Sequence, residues 1–206
     1  NVRDNQKTKK HNYQLVDSKV GRGLLLKKIL SQHSVCFDVE TTGLNSLQAE
    51  IVGIAFSWEK HKGYYLYIPE DQHKAKTIIH EFRPFFENQQ IEKIGHNLKY
   101  DLKVLIKYEI KVVGPLYDTM IAHYLINPDI RHNMDVLAET YLNYSPQSII
   151  ELIGKKGKNQ GNMREVDLTK QTEYAVEDAD ITFQLKQHFQ KELKDVNAIK
   201  LFQEVE

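Results

Sequence analysis

Cysteine is nearly absent from this chain of 206 residues, which contains a single one, Cys36. One thiol cannot form an internal disulfide, and this usage is typical of a reducing compartment. The cysteine and histidine spacings that bind zinc are also missing, which excludes a zinc site. Cys36 adjoins Phe37 in an apolar run, and we interpret it as a small residue of a core that a chain of this length can bury.

Net charge is equally absent, because Lys plus Arg and Asp plus Glu both number 28. No global field therefore attracts nucleic acid, and any phosphate binding must come from local patches or from bound metal. The sequence has no apolar run of transmembrane length and no signal-peptide pattern. We therefore expect no membrane partner, a cytoplasmic location and, by default, a monomer.

The apolar patterns predict one α/β domain over residues 13–206. Residues 1–12 are polar and lack a hydrophobic period, so we interpret them as disordered or linker-like. Residues 13–16 form a short β-prone run. Three longer runs predict an antiparallel meander, and two short strands are expected after it, at residues 94–95 and 111–113.

Helical periods follow most of these strands. The predicted helices cover residues 24–30, 77–88, 98–106, 120–125, 134–142 and a long final segment from about residue 169. Pro84 lies inside the second helix and is expected to kink it. Asn97 and Asp118 each precede a helical period, at a position where a polar side chain caps the helix.

The stretch SVCFDVETTGL carries the first candidate site. Asp38 and Glu40 end an apolar strand, and because side chains alternate along a strand the two carboxylates project from the same face. Acids at the end of a buried strand repel each other and lose hydration, so they require a partner such as a cation. An isolated pair of this kind is more often a strand edge in water, so further residues must support the site.

Two more acids strengthen this interpretation. Asp101 lies on the predicted helix at residues 98–106, and Asp178 lies among apolar neighbours on the final helix. Tyr174 precedes Asp178 by one helical turn, so its phenol and the carboxylate share the face that turns toward the sheet. If that face meets the strand-end pair, four carboxylates surround one cavity. Ligands that are all oxygen favour hard cations, so the sequence predicts Mg²⁺ or Mn²⁺.

Three motifs of the sequence match a known pattern, in order and in spacing: DVETTGL, HNLKYD and YAVEDAD. They resemble the signatures of the DEDD 3′-5′ exonuclease superfamily, in its tyrosine-containing branch. More narrowly, KIGHNLKYDLKVL, YDTMIAHYLINPD, RHNMDVLAE, GKKGKNQ and YAVEDADITFQL resemble the proofreading exonuclease domain of bacterial family A DNA polymerases, the DNA polymerase I family. This resemblance covers residues 13–200, and the chain ends where the polymerase domain would begin in that family.

The resemblance implies an RNase H-like exonuclease fold, with a five-stranded mixed sheet (three antiparallel strands and two parallel ones) and helices on both faces. It implies two divalent metal ions and release of nucleoside 5′-monophosphates from a DNA 3′ end. Three acids would bind the first ion, and Asp101 would hold the second largely through water, with Asp38 touching both. Tyr174 would orient the attacking water together with Glu40. The implied catalytic residues are Asp38, Glu40, Asp101, Tyr174 and Asp178, of which the four acids are the metal ligands.

The resemblance also implies substrate contacts, at Thr41, Leu44, Asn97, Tyr100 and Met163. Leu44 would insert against the terminal bases, in a stacking contact that tolerates any sequence. The family commonly has phenylalanine where this chain has Met163, and methionine would pack more softly on a base. Each residue also has a structural interpretation: Leu44 in the core, Tyr100 in packing and Asn97 as the helix cap.

Other polar residues near the motifs allow two interpretations. The lysines of GKKGKNQ and Arg164 form either a phosphate-binding patch or a solvated loop. His96 either contacts substrate or satisfies a local hydrogen bond. We expect Asp118 to cap a helix and Asp180, on the side of its helix away from Tyr174, to face solvent.

Three functions are compatible with this sequence. The first is a DNA proofreading exonuclease, linked to a polymerase domain at the nucleoid, that acts on single-stranded or frayed 3′ ends. The second is an exoribonuclease of the RNase D type, which shares the same acids and tyrosine. The third is a non-catalytic module that spaces or holds a strand for a neighbouring polymerase, although the four acids argue against it.

Overall fold

One strand, β2 (Ser34–Thr41), separates two hydrophobic cores, because its successive side chains point to opposite faces of the sheet. Phe37 and Val39 belong to one core, and Cys36 belongs to the other. The strand is thus covered on both faces, as its nearly continuous apolar sequence requires. Asp38 and Glu40 share the face of Cys36, so the same alternation sets their direction.

The structure is a computed structural model and describes residues 3–157 and 159–205. The other strands in this part of the chain are β1 (Asn12–Val16), β3 (Ile51–Glu59), β4 (Lys62–Tyr67), β5 (Glu92–Gly95) and β6 (Leu116–Asp118). The helices are α1 (Lys19–Leu30), α2 (Gln72–Glu81), α3 (Arg83–Phe86), α4 (Leu98–Lys107), α5 (Thr119–Ile126), α6 (Met134–Tyr141), α7 (Ile149–Ile153), α8 (Leu168–Asp195) and α9 (Ile199–Val205). Met163–Glu165 forms a short 3₁₀ turn before α8. None of these described helices combines the length and the apolar character that crossing a membrane requires.

The strands form one mixed sheet in the order β1-β4-β3-β2-β5-β6. β2, β3 and β4 make the predicted antiparallel meander, while β5 and β6 add to β2 in parallel. The α/β prediction is confirmed, but the count of five strands was wrong, because β1 pairs in parallel with β4 and makes a sixth. The strand expected at residues 111–113 was also wrong. Those residues are irregular, and Gly114, with a φ of 89°, precedes the true edge strand β6.

Helices cover both faces of the sheet. α1 to α4 contribute to the core that contains Phe37, and α5, α6, α8 and α9 contribute to the core that contains Cys36. α8 packs across β2, β3 and β4. It approaches closely because the side chains between helix and sheet are small: Ala175 and Ala179 are fully buried on the helix, as is Ala55 on β3.

Local sequence signals explain where the helices begin and end. α8 begins at Leu168, close to the predicted residue 169, because the Asp167 carboxylate accepts a hydrogen bond from Thr169 N at 3.0 Å. The kinked helix expected at residues 77–88 was wrong, since α2 ends before Phe82 and a separate short α3 follows. Pro84 lies in the first turn of α3, where its missing N–H needs no partner.

The polar N-terminal segment lies against the domain from residue 3 onward, where the structure describes it. Asp4 forms a β-bridge with Tyr144. Gln6 donates a side-chain hydrogen bond to Glu173 O at 2.9 Å, and His11 pairs with the Glu173 carboxylate at 2.7 Å. From residue 3 onward, the polar side chains of this segment thus find partners near the start of α8.

Candidate active site

Three carboxylates meet at the end of β2. Asp38 and Glu40 project from the face that α8 crosses, and Asp178 projects toward them from that helix. One oxygen of each acid lies within 4.8 Å of an oxygen of the other two. Within the described ranges, this is the only group of three or more acid, histidine or cysteine side chains that meets this criterion. Three oxygen ligands at this spacing fit a hard divalent cation.

Asp101 reaches the same strand from α4, on the opposite face of the sheet. β5 pairs with β2 only as far as Cys36. Beyond that point the Asp101 Oδ1 atom accepts a hydrogen bond from Val39 N at 3.1 Å. Burial and then the charge of Asp38 raise the pKa of Asp101 well above its ordinary value. The fourth acid thus lies beside the trio but outside the group of oxygens that a single ion would contact.

The acids destabilise one another's negative charge. Burial raises the pKa of Asp38 to about 6. Burial, followed by the charges of Asp38 and Asp101, raises the pKa of Glu40, and burial with the charges of the strand pair raises the pKa of Asp178. The carboxylates of Glu40 and Asp38 are also close enough to interact directly. The site therefore lacks positive charge, and a divalent ion would supply it.

Tyr174 lies one turn before Asp178 on α8, with its hydroxyl near that carboxylate. Burial and the neighbouring carboxylates raise the pKa of Tyr174 far above its usual value near 10. A phenol in this position stays neutral, so it can donate and orient but does not act as a free base.

Behind Glu40, two residues that the sequence analysis did not single out help to shape the site. Gly53 is the β3 partner of Glu40, and the ring of Tyr65 passes directly over it. A β-carbon at position 53 would collide with that ring. The Tyr65 hydroxyl donates to Gln171 Oε1 at 2.9 Å, which ties the ring to α8. An isolated glycine inside a strand was the available signal, since it often marks such a close approach.

A cleft of about 580 Å³ opens beside Glu40 and Tyr174. Of the residues that the resemblance assigns to substrate, four line it: Thr41, Leu44, Tyr100 and Met163. Asn97 is not among its lining residues. Glu40 and Tyr174 therefore form part of the cleft wall, and the cleft leaves room beside them for an extended polymer end.

The residues that follow Glu40 form a loop whose conformation is fixed by Tyr100. A β-bulge separates Glu40 from Thr41. The Tyr100 hydroxyl donates to Gly43 O at 2.6 Å and shares a hydrogen bond of 2.7 Å with Thr41 Oγ1. Leu44 comes next and is 89% exposed, so its interpretation as a core residue was wrong. A leucine held in water on a fixed loop is available for an apolar contact.

Met163 and Asn97 differ from expectation in their surroundings. Met163 lines the cleft yet is only 3% exposed, so it offers a small apolar surface. Asn97 is exposed and adopts a left-handed φ of 60°, without a capping hydrogen bond from its side chain. The prediction that it caps α4 was wrong, because Asp118 takes that role with Oδ2 accepting from Leu98 N at 2.8 Å.

Asp118 and Asp180 are both structural. Asp118 caps α5, as predicted, and accepts from Met120 N at 2.8 Å. Asp180 was expected in solvent, but it is 2% exposed and accepts from the Tyr13 hydroxyl at 2.8 Å and from His61 N at 2.9 Å. The expectation failed because β1 and the β3–β4 turn cover the outer side of α8 at this point.

The remaining polar residues separate into local and exposed groups. His96 Nδ1 hydrogen bonds with Thr119 Oγ1 at 2.8 Å, and burial lowers the pKa of His96 to about 4. Lys155 and Lys156 are exposed, whereas Lys158 lies outside the described residues. Arg164 does not belong to an open basic patch, because its guanidinium donates to two backbone carbonyls.

Comparison with known proteins gives consistent matches. The profile of a family described as 3′-5′ exonuclease matches residues 13–194. DNA polymerase I of Borreliella burgdorferi is 33% identical over 200 residues, which cover 94% of this chain and 21% of that protein. DNA polymerase I of Pseudomonas aeruginosa is 29% identical over 197 residues, with coverages of 91% and 21%. This chain thus spans about one fifth of the length of these relatives.

Solved structures share the fold at lower identity. NrnC of Brucella melitensis with bound Mg²⁺ has a TM-score of 0.72 at 21% identity, covering 96% of this chain and 88% of that one. The catalytic core of RRP6 from Trypanosoma brucei has a TM-score of 0.74 at 16% identity, with coverages of 95% and 53%. These likenesses support the RNase H-like exonuclease fold. Because the family profile covers most of the sequence, and the acid trio adjoins the cleft through Glu40, the chain belongs to the 3′-5′ exonuclease family.

Proposed function

We propose that this chain is the proofreading exonuclease domain of a longer DNA polymerase. In this proposal residues 13–206 form one domain that shortens single-stranded or frayed 3′ DNA ends and releases nucleoside 5′-monophosphates. The observation that carries it is the trio of uncompensated acids, one of which, Glu40, lines a cleft that could admit an extended DNA strand. The bacterial DNA polymerase I relatives support a linked polymerase domain. We further propose a monomer that acts in the cytoplasm, at the nucleoid.

The acids fit the divalent ions that such a reaction requires. We assign Asp38, Glu40 and Asp178 to one ion, and Asp38 with Asp101 to a second. Their fit rests on donor chemistry, since all are carboxylates whose raised pKa values reflect missing positive charge. When bound, Mg²⁺ or Mn²⁺ ions would supply the charge that favours displacement at a phosphodiester.

The other residues would orient the reactants. Tyr174 is neutral and lies near Asp178, so its hydroxyl is available to align a water molecule near the scissile phosphate together with Glu40. Leu44 would pack against the terminal bases, and Thr41 and Tyr100 would hold the loop that presents it. Met163 would border the same bases from the opposite side, and we assign Asn97 to the strand outside the cleft.

The test is a cleavage assay on a 5′-labelled single-stranded DNA oligomer with Mn²⁺ or Mg²⁺. We expect stepwise shortening from the 3′ end, abolished by EDTA and by Asp38→Asn. A matched control is Asp195→Asn, which makes the same chemical change at an exposed position of α8 and should leave the rate unchanged. Full activity of a nuclease-free Asp38→Asn preparation would refute the proposal.

Two competing functions are outcomes of the same assay. A matched RNA oligomer that is degraded faster than the DNA would favour an exoribonuclease, because only such a site should depend on the 2′-hydroxyl. Binding of both oligomers without hydrolysis in Mn²⁺ would favour a non-catalytic strand-holding module. Shortening of the DNA oligomer at the higher rate supports the proofreading assignment.

A further inference from the structure

We propose that Arg164 is a positioning residue that holds the two walls of the cleft at a fixed separation. We call residues 41–44 the loop wall and residues 160–163 the turn wall. Both line the cleft, and Arg164 follows the turn wall directly in sequence. The inference rests on the proposed function, because it concerns how the same cleft accepts a strand.

On one side, the guanidinium of Arg164 binds the sheet where the loop wall begins. Nη2 donates to Ile51 O at 3.0 Å, and Nη1 donates to Ile68 O at 3.3 Å. Ile51 is the strand partner of Thr41 at the bulge. The planar fork therefore joins two neighbouring carbonyls at the point where the loop wall leaves β2.

A second link runs through the residue before Ile51. The Glu50 carboxylate lies 3.6 Å from Arg164 Nη2. The backbone of Glu50 is bonded to the loop wall, since Thr42 N donates to Glu50 O at 3.0 Å and Glu50 N donates to Thr42 Oγ1 at 3.0 Å. Arg164 thus contacts both Glu50 and Ile51, the two residues that pair with the start of the loop wall.

On the other side, the backbone of Arg164 is fixed to the turn wall. Asn162 Oδ1 accepts a hydrogen bond from Arg164 N at 2.9 Å, and Gly161 N donates to Ile153 O at 2.9 Å. The Arg164 side chain is only 15% exposed. Its donors are directed into the protein, so the residue does not bind phosphate itself. It affects the binding of a DNA strand only by holding the two walls of the cleft in place.

Arginine suits this role better than lysine because its donors form a rigid fork that can bond two acceptors at once. Lysine keeps the charge but presents a single flexible ammonium group. In Arg164→Lys we expect the wall separation to relax, while the acids and Tyr174 keep their places. The expected result is a KM for a single-stranded DNA oligomer about tenfold higher, with kcat within about twofold of the parent.

Two control variants separate positioning from stability and from charge. Arg22→Lys changes an arginine of similar burial, 12% exposed, that forks onto Glu81 far from the cleft, so it should lower stability without changing KM. Glu50→Gln removes the ion pair but keeps the carbonyl bonds, and it should change KM by less than about twofold because half-exposed ion pairs contribute little.

Salt distinguishes a positioning role from a phosphate contact. The slope of KM against salt concentration should be the same in parent and Arg164→Lys, because no phosphate contact is lost. If Arg164→Lys has the parent KM, or if its kinetics match those of Arg22→Lys, the inference is refuted. If the lysine variant does not fold, Arg164→Gln, which can keep one carbonyl bond, is measured in its place with the same expectation. A parent chain that degrades no DNA would refute the proposed function instead.

Discussion

Two neighbouring acids of α8, Asp178 and Asp180, differ in the groups that surround their carboxylates. Asp180 is 2% exposed and accepts hydrogen bonds from Tyr13, His61 and Gln184. Asp178 lies near the Tyr174 hydroxyl, but it also faces two further carboxylates within 4.8 Å. Burial alone therefore does not identify a functional acid. An acid surrounded by donors stabilises the fold, and one surrounded by acids is suited to binding a cation.

The largest expected difference between the two acids is catalytic. Asp178→Asn should lower kcat by more than about 100-fold, because even residues that only support metal ligands cost 10–100-fold. It should also raise the stability of the metal-free protein, since it removes one of the mutually repelling charges. Asp180→Asn should keep kcat but lower the free energy of unfolding by about 1–3 kcal/mol, because buried donors lose an acceptor.

Steady-state cleavage and urea unfolding of both variants provide the measurement. The parent chain and the exposed variant Asp195→Asn serve as references. The contrast between the acids would collapse if Asp180→Asn lost activity as completely as Asp178→Asn while remaining folded.

The second prediction concerns metal and pH. Folded Asp38 has a pKa of about 6, against an ordinary value of 3.8, so between these pH values the folded state binds more protons than the unfolded chain. The contribution of Asp38 to the free energy of unfolding of the metal-free protein should therefore fall as pH rises from about 4 through 6. The raised pKa values of Glu40, Asp101 and Asp178 make stability fall with pH in the same direction. Mn²⁺ at 100 times its Kd should restore about 2.7 kcal/mol at about pH 8.

Below the pKa of Asp38, protons compete with the metal, so the gain should be smaller at about pH 5. Urea unfolding with Mn²⁺ or with EDTA at both pH values measures this difference. Asp178→Asn is the control variant, and its gain from Mn²⁺ should be smaller than that of the parent at about pH 8. An equal gain for the parent at both pH values would contradict the assignment of the trio to a cation.

The smallest expected effects come from the two phenols that lie beside these acids. Tyr174→Phe should lower kcat about tenfold, because the hydroxyl that would orient the attacking water beside Asp178 is lost. Tyr13→Phe removes the matching donor to Asp180, at 2.8 Å, and should cost about 1 kcal/mol of stability with kcat unchanged. Cleavage kinetics and unfolding curves of the two variants check both outcomes. A lower kcat in Tyr13→Phe with normal stability would reverse the roles assigned here.

Local pattern was sufficient to predict much of this fold. The β2–β4 meander, α8 and the shared face of Asp38 and Glu40 follow from periods of two and of 3.6 residues, which a single segment displays. The meeting of the trio was a conditional expectation. It required α8 to cross the β2 face, and the family resemblance, not the periodicity, supplied that arrangement.

Three of the failures involve partners that are distant in sequence. Asp180 lies on the outer side of α8 by helical spacing, yet β1 returns across that side and buries it. Asn97 is at the N-cap position of α4, but the Asp118 carboxylate accepts the backbone hydrogen bonds at that helix end. The parallel pairing of β1 with β4 is not indicated by the hydrophobic pattern of either strand. In each case a contact between separate segments outweighed the local preference.

The position of Asp118 has a consequence for how the domain unfolds. Its carboxylate accepts from Asn97 N and Leu98 N at the start of α4 and from Met120 N at the start of α5. If Asp118 moves away from one of these helices, α4 and α5 therefore both lose the carboxylate that accepts hydrogen bonds from their first turns. The segment that carries Tyr100 and Asp101 is thereby coupled to the edge strand of the sheet, so partial opening of that edge reaches both the fourth acid and, through Tyr100, the cleft.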